Sequence, residues 1–160
     1  MYITYVIKMK YILVVILWGL NSSTASANNN GSFTQMKGDA LRAVFTDTMM
    51  VGEYRQYRDL TRTFNYTEYH RKDGTTDYIE GRKKEDGRWK IIGNEKICYK
   101  YPGSRYYSQT YCFYVFNADG CYYKFTPENM TLNRNPRNRN RWSSRAVRKG
   151  AGGTCDEPVG

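Results

Sequence analysis

The chain has 160 residues, with 25 lysines and arginines against 15 acidic residues, sixteen tyrosines, four cysteines and one histidine. That length suits one domain rather than several, large enough to bury about two-thirds of its unfolded surface. A formal charge of +10 favours anionic partners, and a lone histidine leaves no second imidazole for a zinc set.

Lys8 and Lys10 precede ten largely apolar residues, 11–20, and a small polar stretch ends in Ala25-x-Ala27. This reads as a secretory signal peptide over residues 1–27, cut before Asn28. A bilayer span takes about 20 apolar residues, so no transmembrane segment is expected after cleavage. An uncleaved N-terminal anchor is the alternative. Residues 1–8 extend awkwardly past the lysines, and a start at Met9 would place Met-Lys directly before the apolar run. No cysteine lies near Ala27, which excludes a lipidated bacterial N-terminus. The expected location is periplasmic or secreted.

Residues 28–35 read as a flexible leader. Residues 36–45 predict a short helix with Leu41, Val44 and Phe45 on one face and Asp39 in its first turn. Strands follow at residues 63–71, with Phe64, Tyr66, Glu68 and His70 on one face, and at 75–82. Further strands are predicted at 88–92, 95–101, 109–116 and 121–125. Asp73-Gly74, Asp86-Gly87, Gly93-Asn94 and residues 117–120 supply the turns, and Pro127 ends the run. Residues 134–141, rich in arginine and asparagine, look disordered by composition. Residues 142–148 alternate again and predict a last strand, and residues 156–160 form a tail. The fold class is therefore mainly β: a helix packed on a six- to eight-strand antiparallel meander or small barrel, one domain over residues 36–155.

Cys98, Cys112, Cys121 and Cys155 make an even count, which in an oxidising compartment implies two disulfides. Their spacings match no zinc pattern and no Cys-x-x-Cys is present. A hairpin centred near Arg105 sets Cys98 opposite Cys112. A second hairpin about residues 117–120 would pair Phe116 with Cys121, so that Cys112 faces Phe125 and Cys121 is left for Cys155.

Glu68 and His70 share a strand face and could do acid–base work, but a polar pair in a solvated strand accounts for them more simply, since no nucleophile motif accompanies them. Arg134, Arg137, Arg139, Arg141, Arg145, Arg148 and Lys149 form a cationic stretch without an acid. They are the anion-binding candidates, suited to envelope polymers or lipid head groups. Nucleic acid is disfavoured by export. Asn65-Tyr-Thr67 and Asn129-Met-Thr131 fit the glycosylation acceptor pattern.

Ala40-Leu-Arg-Ala-Val-Phe45, Glu68-Tyr-His-x-x-Asp-Gly74, Gly87-Arg-Trp89, Ile97-Cys-Tyr-x-Tyr-Pro102, Tyr111-Cys-Phe113 and Trp142-x-x-Arg-Ala-Val-Arg-x-Gly150 together span most of residues 36–155. The set resembles small exported alphaproteobacterial proteins that carry a Gly-Arg-Trp turn, paired cysteines and no assigned activity. The resemblance implies a periplasmic β domain and carries over no catalytic residue. The second cysteine pair and the arginine-rich stretch depart from the simplest members.

The expected function is non-catalytic binding of anionic envelope components or a partner protein, with no cofactor and no metal. One alternative is an inhibitor of a secreted hydrolase that inserts the loop of residues 102–107. The other is an enzyme using Glu68 and His70.

Overall fold

A computed structural model describes residues 33–55, 66–105 and 108–155. The signal-peptide reading, residues 28–32, the start of the strand predicted at 63–71, and the tail at 156–160 lie outside the described residues.

A two-residue strand, β1 (Thr34–Gln35), leads into helix α1 (Gly38–Phe45). Eight strands follow: β2 (Thr48–Tyr54), β3 (Tyr66–His70), β4 (Thr75–Glu80), β5 (Lys83–Ile92), β6 (Lys96–Lys100), β7 (Thr110–Ala118), β8 (Cys121–Phe125) and β9 (Ser144–Arg148). Each of β2 to β9 pairs antiparallel with its neighbour in sequence, and β9 returns to β2, which closes an eight-stranded barrel. β1 lies on the β6 side of β7, extending that edge.

Alternation along each strand divides the side chains between an inner and an outer cluster. Met50, Tyr66, Tyr78, Trp89, Ile97, Tyr99, Val115, Tyr122 and Ala146 fill the interior. Leu41, Val44 and Phe45 join them, as the helix periodicity predicts, so α1 plugs one end of the barrel. Gly38 N–H donates to the Asn94 carbonyl at 2.9 Å, and Lys37 pairs with Glu95, which ties the helix start to the β5–β6 turn. Outside, Phe33, Tyr114, Phe116, Tyr123, Phe125, Met130 and Trp142 form a second cluster beneath the chain that links β8 to β9. Among the described residues no helix is long and apolar enough to cross a membrane.

Both disulfides join as the hairpin argument predicts, Cys98 to Cys112 and Cys121 to Cys155. Cys98 sits directly opposite Cys112 in the β6–β7 register.

The structure corrects the sequence reading at five places. β2 lies in a stretch given no strand, because its inward Gly52 weakens the pattern. Asp86-Gly87 is not a turn: β5 runs through it and the chain reverses at Gly81-Arg82. The β7–β8 register is shifted, with Ala118 facing Cys121 and Tyr114 facing Phe125, because Asp119 and Gly120 alone, at φ 50° and 85°, make a two-residue turn. Phe33, Thr34 and Gln35 are docked rather than a loose leader, with Phe33 stacked on Phe116 at 4.9 Å. Residues 134–141 are built into the fold by Thr131 N–H to the Asn135 carbonyl, Arg137 N–H to the Asn129 carbonyl, and arginine–ring contacts.

Candidate functional site

The end of the barrel opposite α1 is carried by the C-terminal end of β2, the β4–β5 turn, and the connections after β6 and β8. Here a cavity of 240 Å³ lies between Tyr54, Tyr78, Tyr99, Tyr101, Tyr111, Phe113, Thr126 and Ser144. Glu68 and Lys124 complete its lining. The walls follow from strand alternation: Tyr54, Tyr78 and Tyr101 come from β2, β4 and the end of β6. Tyr66 of β3, which does not line the cavity, packs between Tyr54 and Tyr78, and successive ring centroids along the four lie 4.9, 5.8 and 5.6 Å apart. Tyrosine suits such a wall because its ring buries while its hydroxyl finds a polar partner.

Glu68 from β3 and Lys124 from β8 are nearly fully buried, at 2 % and 3 % exposure. The Tyr101 hydroxyl donates to Glu68 Oε1. The Thr76 hydroxyl lies 3.1 Å from the same oxygen and 2.8 Å from the Tyr69 carbonyl, and its one proton serves either. Lys124 Nζ donates to the Tyr99 hydroxyl at 2.9 Å, with its centre 4.4 Å from that ring's centroid, and lies 3.8 Å from Glu68 Oε2. An ammonium can only donate, so the Tyr99 oxygen accepts from it. The Tyr99 hydroxyl also lies 2.9 Å from His70 Nε2, and the imidazole tautomer sets which of the two donates. Burial pulls the Lys124 pKa below its ordinary 10.5, opposed by the Glu68 carboxylate. Burial likewise pushes Tyr54, Tyr99 and Tyr101 well above 10.0, which keeps their hydroxyls neutral.

His70 and Glu68 are brought together, but not as a solvated polar pair. His70 is completely buried, flanked by Phe45, Trp89 and Tyr99, and is not among the residues lining the cavity. Its Nε2 lies 3.6 Å from Glu68 Oε2, and burial lowers its pKa to about 4, against the pull of Glu68.

The cationic candidates divide into two groups. Arg145 is 3 % exposed, ion-paired to Glu53 and stacked 4.9 Å over Trp142, so it is removed from any anion surface. Arg134 donates to the Tyr114 hydroxyl and pairs with Glu95 at 3.7 Å. Arg139 is exposed and lies 4.7 Å over the Phe33 ring. Arg137, Arg141, Arg148 and Lys149 are exposed. All four cysteines are consumed in disulfides. The loop proposed for hydrolase inhibition reaches residues 106 and 107, which lie outside the described residues.

Lys124, Tyr99 and Tyr101 are site residues that the sequence reading missed. Every residue of β8 is buried, so its alternation does not tell the barrel interior from the covered outer face. The available signal was a lysine flanked by Tyr123 and Phe125 in a strand of otherwise apolar and aromatic residues. No known family model, curated protein or solved structure matches the chain.

Proposed function

We propose that the protein is a non-catalytic binding domain of an oxidising, extracytoplasmic compartment that holds one small, flat, largely apolar ligand inside its barrel. The observation that carries this reading is the tyrosine-walled cavity with two charged side chains at its floor. Eight strands enclose an interior just wide enough for packed side chains or one small ligand. Here α1 fills one end, and the cavity occupies the other. Two disulfides fit an oxidising location, the periplasm or the exterior. A binding role is favoured over catalysis because His70, the one imidazole, is sealed behind Tyr99 and does not line the cavity.

The test is a cavity-filling substitution. Phe113→Trp should leave the barrel folded and lower the affinity for small aromatic ligands by about tenfold or more, read by calorimetry on the disulfide-bonded protein. Unchanged affinity would place binding elsewhere.

A second, compatible contact is with anionic envelope polymers or lipid head groups. It rests on exposed Arg137, Arg139, Arg141, Arg148 and Lys149, none of which forms an ion pair among the described residues. Retention on a sulfated polysaccharide should fall steeply with salt and should drop when Arg137, Arg139 and Arg141 become Ser.

A further inference from the structure

The buried pair at the cavity floor keeps hydrogen-bonding capacity that the protein does not use. An ammonium has three donors and a carboxylate about four acceptor sites. Lys124 gives one proton to Tyr99, and Glu68 Oε2 at 3.8 Å is beyond hydrogen-bond reach. Glu68 Oε1 accepts from Tyr101 and lies 3.1 Å from the Thr76 hydroxyl, whereas Oε2 lies 3.6 Å from His70 Nε2 and 3.8 Å from Lys124 Nζ, both beyond good hydrogen-bond distance. Both side chains line the cavity. A group entering it therefore meets a donor and an acceptor side by side, between aromatic walls.

Charge narrows the choice further. Glu68 and Lys124 cancel one another, and the tyrosines and His70 around them are neutral. A second buried ion pair among the described residues, Glu53 with Arg145, lies on the outer face of β2 and β9. A ligand bringing net charge to this floor would leave one charge uncompensated away from water, which is costly.

We propose that the cavity selects an uncharged planar molecule with a hydrogen-bond donor and acceptor adjacent on one edge, the pattern of a primary carboxamide or cyclic amide. The ligand N–H would donate to Glu68 Oε2 and its carbonyl would accept from Lys124 Nζ, with the ring between the tyrosines. This assignment rests on the reading of the cavity as the ligand site.

Four probes of similar size test it on the intact, disulfide-bonded protein: benzamide, benzoate, benzylammonium and toluene, titrated by calorimetry. Benzamide should bind at least about tenfold more tightly than the other three. Glu68→Gln, which leaves the ammonium uncompensated, should move the preference to benzoate. Lys124→Met should move it to benzylammonium. Equal affinities, or one rank order in all three proteins, would overturn the assignment while leaving the cavity reading standing. Binding of no probe would overturn the cavity reading and this assignment together. Where a single substitution prevents folding, the double variant Glu68→Leu/Lys124→Met keeps the floor neutral and apolar. In it the advantage of benzamide over toluene should vanish, and its persistence would refute the proposal.

Discussion

Gly52 and Gly87 point into the barrel at positions where a methyl group has no room. A Cβ on Gly52 would lie 2.5 Å from the Tyr66 ring and 2.6 Å from the Arg145 carbonyl oxygen, a backbone atom with nowhere to go. A Cβ on Gly87 would lie 2.5 Å from the Tyr101 ring, whose hydroxyl holds Glu68. The two glycines thus do for the tyrosine wall what small residues do in any tight core: they let a ring lie flat against backbone. Gly52→Ala and Gly87→Ala should each cost about 1–3 kcal/mol, measured by urea unfolding. Only Gly87→Ala should also weaken ligand binding, because it displaces the Tyr101 ring. Equal ligand affinity in both variants would break the link between that ring and the site.

At the scale of elements, the closing pair β2–β9 joins the first and last strands of the barrel, far apart in sequence. Glu53 faces Arg145 across this seam, on its outer side, beneath Trp142. Removing one partner strands a buried charge, so Arg145→Met should cost about 3–5 kcal/mol, and the double change Glu53→Leu/Arg145→Met should recover most of it. Urea unfolding of the four proteins in this cycle checks the claim, and additive costs would deny the coupling. The same seam shows where sequence reading works and where it stops. Alternation of Tyr, Ile and Trp with polar residues located β3, β4, β6 and β9, because one side of each faces the interior. The pattern failed at β2, where inward Gly52 leaves a gap in the alternation, and at the first half of β5, where inward Gly87 after Asp86 looks like a turn. The second half of β5, residues 88–92, reads correctly as a strand. It also failed for polar residues inside the barrel. Glu68 and His70 read as a solvated face, since nothing local reveals that Lys124, distant in sequence, lies opposite. The cysteine pairing was legible because a hairpin register needs only local turn chemistry, even though the β7–β8 register used alongside it was shifted.

For the whole molecule, acid acts through the buried imidazole. His70 faces Glu68 on its own strand, Tyr99 from β6, Trp89 from β5 and Phe45 from α1, with Lys124 from β8 opposing its protonation. The unfolded chain takes up this proton near the ordinary 6.5, but the native barrel does so only near about 4. The unfolded state therefore binds more protons in that window, so stability rises with pH through it and is lost on acidification, by up to about 3 kcal/mol. Urea midpoints should fall between about pH 7 and about pH 5, and His70→Gln should flatten that slope. A wild-type slope that persists in the variant would assign the effect to other groups. Two disulfides keep the barrel closed while this occurs: one staples β6 to β7, and the other fastens the chain after β9 to the start of β8.

The claim on which the rest depends is that the barrel interior receives a small flat molecule at the Glu68–Lys124 floor. Titrating the oxidised, isotope-labelled protein with benzamide and following backbone and tyrosine-ring chemical shifts tests it most directly. The account predicts saturable shifts concentrated at Tyr54, Tyr99, Tyr101, Phe113, Lys124 and Ser144, with Arg137, Arg139 and Arg141 unmoved. Shifts confined to the arginine-rich connection, or none at saturating benzamide, would contradict it.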